Sequence, residues 1–122
     1  MSLEIETCYV PGAIGRITEL HGTYYQQHTG FGLYFESKVA CELSEFLSRY
    51  DADRDSIWLA LSRGRIEGSL VIDGVDAATE GAHLRWFIVS DAFRGTGVGN
   101  QLMCAALDYC RLRQYKAIYL WT

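Results

Sequence analysis

The chain has 122 residues, 49% of them hydrophobic and 21% charged, with a formal net charge of −4. That length and balance fit one globular domain spanning residues 1–122, and the acidic charge without a basic run argues against nucleic acid as a partner. No apolar run approaches a membrane span and the opening MSLEIET has no signal-peptide pattern, which excludes a membrane role; an acidic surface instead suits a cationic substrate such as an amine.

In chain order, Ile5, Thr7 and Tyr9 alternate with Glu4, Glu6 and Cys8, predicting a first strand that Pro11-Gly12 stops. A helix follows from about Gly12 to His28, with Ile14, Ile17, His21, Tyr24 and His28 at three- and four-residue steps on one face. Gly30-Phe31-Gly32 breaks it. A second helix is expected from about Glu36 to Arg49, with Val39, Leu43, Phe46 and Tyr50 as its buried stripe. Asp51, Asp53 and Asp55 have the spacing of a metal loop but lack the glycine and glutamate such a loop needs, so they read as solvated and no metal is expected. Ser56–Ser62 and Arg65–Asp73 read as a hairpin around Arg63-Gly64, and residues 74–81 as a loop. Cys8, Cys41, Cys104 and Cys110 form no C-x-x-C pair, which argues against zinc. Three of the four lie in apolar patterns and read as buried free thiols of a protein in the reducing cytoplasm.

The chain is organised around residues 84–112. Leu84 to Val89 reads as a strand, Ser90 to Phe93 as a turn, and Arg94-Gly95-Thr96-Gly97-Val98-Gly99 opens a helix. Val98, Leu102, Ala105, Tyr109 and Leu112 form the expected buried stripe of that helix, and Ala117 to Trp121 a last strand. A glycine-rich turn before a helix start is a place to hold an anion, because the first N–H groups have no intrahelical partner and the helix dipole adds positive charge there. A dinucleotide-binding G-x-G-x-x-G fails on spacing, since Asn100 stands where its third glycine belongs, and no Gly-Lys-Ser/Thr follows for a P-loop.

What this stretch resembles is the acetyl-CoA-binding motif of the GNAT superfamily of N-acetyltransferases. That motif has a strand ending in an apolar-x-Val pattern, a short turn, and Arg-Gly-x-Gly-apolar-Gly opening a long helix. Phe87-Ile88-Val89, Ser90 to Phe93 and Arg94 to Gly99 fill those places in order. The resemblance extends through Gly68 in the third strand and the order of elements. It implies an α+β fold, β-α-α-β-β-β-α-β, with a central, mostly antiparallel sheet flanked by helices. The stretch GRITELHGTYYQQHTGFG is similar in particular to the acetyltransferase half of proteins that fuse a MarR-type regulator to a GNAT domain.

By this resemblance the chain moves an acetyl group from acetyl-CoA to a primary amine, of a small molecule or a protein, by direct attack; the alternative is a non-catalytic acetyl-CoA-binding or regulatory module. The pyrophosphate is expected on the N–H groups of Gly95, Thr96, Gly97, Val98, Gly99 and Asn100. The pantetheine arm is expected along Phe87, Ile88 and Val89, where a bulge in the family splays the fourth strand from the fifth. Arg94 either contacts phosphate or is solvated. The family's glutamate near the start of this strand corresponds to Gly81 here, which leaves Glu80 and His83 as candidate bases. The acceptor site is expected at His21, Tyr25, Phe31 and Tyr34, with Tyr24 and His28 packing the helices on the sheet. GNAT domains usually continue past the fifth strand with a helix and two strands. The chain is therefore expected to be short at its C-terminus and to cover the exposed strand edge by forming a homodimer or a higher assembly.

Overall fold

The computed structural model describes residues 3–120. It contains β1 (Glu4–Glu6), α1 (Ala13–Thr29), α2 (Leu33–Ser48), β2 (Ser56–Ser62), β3 (Arg65–Asp73), β4 (Ala82–Val89), α3 (Val98–Leu112) and β5 (Ile118–Tyr119), with one 3-10 turn at Asp91–Phe93. The strands form one sheet in the order β1-β2-β3-β4-β5, antiparallel throughout except for the parallel pair β4–β5. The fold is α+β, as the pattern of the sequence predicts.

Apolar faces divide between the two sides of the sheet. Ile17 of α1 and Val39, Leu43 and Phe46 of α2 pack with Ile57, Leu59, Val71 and Trp86 on one side. Val98, Leu102, Ala106 and Cys110 of α3 pack with Trp58, Leu70, Ile72 and Leu84 on the other. Gly68 explains how closely α3 approaches: a Cβ there would sit 3.2 Å from Leu102 and 3.3 Å from the Ile88 carbonyl oxygen.

Several expectations need correction. The buried row of α3 runs Val98, Leu102, Ala106, Cys110, in four-residue steps, because an i, i+4 ridge is what meets the sheet. Leu112 is 84% exposed, whereas Ala105 and Tyr109 are only partly buried at the edge of that row. β1 ends at Glu6, because it pairs with β2 only from Glu4 to Glu6. α2 begins at Leu33, directly after Gly32, and not at Glu36. The last strand is confined to Ile118–Tyr119, and Trp121 lies outside the described residues. Of the cysteines only Cys110 is buried; Cys8, Cys41 and Cys104 are exposed, on strand-flanking or outward helix positions. Asp55 is not solvated but fully buried, accepting the backbone N–H groups of Asp51 and Gly74 at 3.0 and 2.7 Å.

An ionic cluster ties α2 to the middle of the sheet. Asp73, at the end of β3, accepts Arg49 Nη1 and Nη2 at 3.1 and 2.7 Å and Arg85 Nη1 at 3.0 Å, and Arg85 continues to Glu42 of α2 at 3.3 Å. Burial pushes the Asp73 carboxyl up, but the hydrogen bonds from Arg49, the Val75 N–H and Arg85 outweigh it and hold the group below its ordinary value. A folded-state value below the unfolded one means that Asp73 contributes stability above the ordinary carboxylate value of 3.8 and loses it as pH falls through the folded value. Asp73→Asn leaves two arginines facing a neutral amide and is expected to cost about 3 kcal/mol at pH 7 by urea denaturation. The difference from wild type shrinks in acid; a difference that is constant from pH 7 to pH 3 counts against the cluster as its source.

Candidate functional site

The site begins with a fault in strand pairing. Ser69 of β3 faces Ile88 and Val71 faces Arg85, so Leu70 alone stands opposite two residues of β4, Trp86 and Phe87. Trp86 takes φ 47°, rare for a non-glycine residue. Its carbonyl accepts the buried Ser69 hydroxyl at 2.6 Å. The extra residue reverses the alternation of the strand. Before it, Leu84 packs on the α3 side; Trp86 packs with α1 and α2; after it, Val89 is again on the α3 side. Ser90 N–H donates to Glu67 of β3 at 2.8 Å, so the backbone groups of Val89, one residue earlier, point away from β3. β5 pairs with β4 only at Ala82 and His83, so no strand among the described residues covers the far edge from Arg85 to Val89.

That edge opens onto a cavity of about 290 Å³. Phe87, Ile88 and Val89 form one wall, Tyr24 and Tyr25 of α1 the opposite one, and Phe93, Arg94, Gly95 and Gly99 the end. Gly95 and Gly97 have φ of 83° and 93°, a backbone that only glycine adopts without strain, and a Cβ at either would meet nothing within 4 Å. Glycine is therefore required there by the turn, which aims the start of α3 at the cavity mouth. No side chain caps that helix start, and its first intrahelical bond is Gln101 N–H to Gly97 O at 3.0 Å, which leaves the N–H groups of Val98, Gly99 and Asn100 without intrahelical partners. The Thr96 hydroxyl is engaged with the Phe93 carbonyl at 2.5 Å, the Val98 side chain is in the core and Asn100 is exposed.

Arg94 is exposed but engaged. Its guanidinium pairs with Asp91, donates to the Val89 carbonyl at 2.6 Å and lies over the Tyr24 ring at 4.7 Å. It thus bridges β4 and α1 across the cavity and occupies the one Val89 acceptor that faces it.

The model of the acetyltransferase (GNAT) family matches residues 16–122. The chain belongs to that family. Among solved structures, a GNAT-family acetyltransferase of Staphylococcus aureus Mu50 superposes with a TM-score of 0.81 at 17% identity, over 99% of this chain and 73% of its own. An acetyltransferase of Clostridium acetobutylicum, solved with acetyl-CoA, superposes with a TM-score of 0.70 at 11% identity, over 99% of this chain and 81% of its own. An aminoglycoside acetyltransferase from an uncultured soil sample, solved with sisomicin, gives 0.69 at 14% identity, over 98% of this chain and 77% of its own. No curated protein matches the chain in sequence.

Within this GNAT fold the residues expected to carry the reaction fall in different places. Tyr25 lines the cavity and packs on Phe31 and Phe35, with ring centroids 6.1 and 4.9 Å away. Phe31 belongs instead to a second cavity of about 430 Å³ between the end of α1 and the start of α2, and Tyr34 is 82% exposed, outside both. His21 is buried beside Tyr25, their rings near-parallel with centroids 6.3 Å apart. Tyr24, expected to pack the helix on the sheet, lines the cavity; His28 is exposed and stacks on Tyr24 at 4.2 Å. Helical spacing could not separate these roles, because the packed face and the cavity wall are one continuous stripe. Glu80 is exposed in the turn before β4 and His83 stacks on Tyr119 at 4.5 Å; neither lines the cavity. Burial, then Arg85, hold His83 below the ordinary histidine value. Ser69 was not expected to matter, and nothing in its neighbours GSLV marks it. Ser69→Ala is expected to destabilise the fold by about 2 kcal/mol by stranding a buried carbonyl. A loss under about 0.5 kcal/mol in denaturant unfolding would show that the bulge holds without it.

Proposed function

We propose that this chain transfers an acetyl group from acetyl-CoA to a primary amine. The observation that carries the reading is the conjunction, at one cavity, of an uncapped helix start opened by glycines and a bulged strand whose edge no described strand covers. In this reading the pyrophosphate sits on the N–H groups from Gly95 to Asn100, where phosphate oxygens replace missing partners and gain from the helix dipole. The pantetheine amides pair with the outward backbone of Phe87 and Val89 like an added strand. To do so they displace Arg94 from the Val89 carbonyl, and the freed guanidinium is within one side-chain swing of the phosphates. The N–H groups near the bulge polarise the thioester carbonyl, and the acceptor enters between β4 and the rings of Tyr24 and Tyr25.

An amine is the acceptor this reading favours. The chain is acidic overall at −4, and an aromatic wall attracts a cation. The soil aminoglycoside acetyltransferase, solved with sisomicin, has the same fold.

Calorimetric titration with acetyl-CoA tests the cradle. Wild type is expected to bind saturably, and Gly97→Glu, which strains the turn and brings a carboxylate to the phosphates, at least about tenfold more weakly, a difference of roughly 1.4 kcal/mol. Thiol release from acetyl-CoA with a panel of primary amines then tests turnover. Equal binding by both proteins would place the ligand elsewhere and sink the reading.

A further inference from the structure

We propose that His21 is the general base of this site, the group that takes the proton from the attacking amine. The assignment rests on the acetyl-transfer reading above and adds a residue to it.

The tautomer of His21 is set by its one hydrogen bond among the described residues. Nδ1 lies 2.9 Å from the Ile17 carbonyl oxygen, one turn back on α1. A carbonyl only accepts, so Nδ1 carries the hydrogen, and in the neutral ring Nε2 is the atom with the lone pair. Nε2 has no hydrogen-bond partner among the described residues. Nor is it sealed off: the side-chain polar atoms buried without a partner among the described residues are Thr18 Oγ1, Arg54 Nε and Ser90 Oγ. The ring is therefore held by one nitrogen, and the other, which is not wholly enclosed, carries the lone pair.

Position along α1 sets that base one turn behind the cavity wall. Tyr24 and Tyr25, both on the cavity wall, follow His21 by three and four residues, so His21 stands one helical turn, about 5 Å, further in on the same face. One turn further again, Ile17 packs in the cluster that contains Trp86 of the bulge. His21 thus stands one turn behind the Tyr24–Tyr25 wall, its ring 6.3 Å from that of Tyr25, between the wall and the cluster that holds Trp86. Glu80 and His83 are at the other end of β4. Three residues of strand, roughly 10 Å, separate His83 from the bulge at Trp86, and its ring stacks on Tyr119.

The electrostatics suit the role. Burial lowers the His21 value, the Ile17 carbonyl works against it more weakly, and no charged group shifts it. Glu36 of α2 lies against Gly22, Arg85 of β4 is engaged by Asp73 and Glu42, and Tyr25 is the titratable neighbour on α1 itself. At neutral pH the ring is therefore uncharged and able to accept a proton. As the amine nitrogen attacks the thioester carbonyl carbon, Nε2 takes one of its protons. The C–N bond forms, the C–S bond breaks with its electron pair going to sulfur, and the imidazolium gives the proton to the thiolate. Amide and free thiol leave, and His21 returns neutral.

The test is the pH dependence of kcat/KM for the amine in wild type and His21→Gln, alongside acetyl-CoA affinity and a pH titration of the histidine ring nitrogens by NMR. Wild type is expected to lose rate on an acid limb whose midpoint lies below the ordinary histidine value and coincides with the His21 titration. His21→Gln is expected to keep its acetyl-CoA affinity, to fall at least about a hundredfold in rate, and to lose the limb. A variant that keeps the wild-type rate and limb overturns the assignment while leaving acetyl transfer standing. So does a wild-type limb that does not match the His21 titration, a comparison that needs no variant to fold. Acetyl-CoA bound by wild type without thiol release to any amine overturns the transfer reading and the assignment together.

Discussion

One extra residue in β4 governs the molecule. Because Trp86 and Phe87 share the single position opposite Leu70, everything after them is displaced by one residue against everything before. His83 and Arg85 belong to the α2 side with Asp73, and without the bulge Phe87 and Val89 would follow them there. With it, Val89 turns to the α3 side and both aromatic and aliphatic side chains approach Gly99, whose Cβ would lie 3.6 Å from Phe87 and 3.7 Å from Val89. The glycine turn and helix start thus meet a strand whose outward backbone is in phase with them. A bulge stores strain, here φ 47° at Trp86, and the surroundings must hold it. Ser69 satisfies the displaced carbonyl, Phe46 packs on the indole with centroids 5.7 Å apart, and Arg85 covers its ring at 4.0 Å.

The ionic cluster at Asp73 belongs to the same device. Arg85 precedes the bulge directly, and its guanidinium is shared among Asp73, Glu42 and the Trp86 ring. Buried ion pairs add little net stability compared with apolar packing, and what they supply is position. Here the position is that of α2 against the irregular part of β4, where a regular apolar contact would tolerate sliding. A second polar bridge, from Arg94 to Val89 and Tyr24, closes the other end. The two differ in exposure: the Asp73 side chain is 2% exposed and that of Arg94 42%, so the first is fixed while the second can exchange partners with an anion in solvent.

Much of this was legible in the sequence, for identifiable reasons. The hairpin Ser56–Ser62 and Arg65–Asp73 came out residue for residue, and the start of α3 followed from its turn, because short-range signals, alternation, a Gly turn and a glycine-rich helix start, mark those places. Bounds set by pairing partners did not: β1 and β5 are as short as their contacts with β2 and β4. The cavity wall from Phe87 to Gly99 follows from the motif, whereas Tyr24 on the opposite wall does not. Its helical phase says only that it faces inward, and whether inward means core or cavity depends on what the sheet leaves uncovered. Asp55 misled for a similar reason. In sequence it stands in an acidic turn, and its burial comes from Gly74, nineteen residues away, whose N–H it accepts.

The same reasoning explains why an active histidine would sit on α1 in a chain whose sequence motif lies on β4 and α3. A strand edge that must pair with an extended ligand spends its backbone on that ligand, and its side chains alternate away from the reacting atoms. A helix laid across the edge, by contrast, points a whole stripe at it. Along α1 the stripe runs from Ile17, packed with Trp86, through His21 to Tyr24 and Tyr25 on the cavity wall, so apolar anchoring, a basic nitrogen and aromatic lining follow at one-turn intervals. The polar chemistry is supplied where side chains converge, and the anion chemistry where backbone does. In this chain the bulge is what sets the two against one cavity.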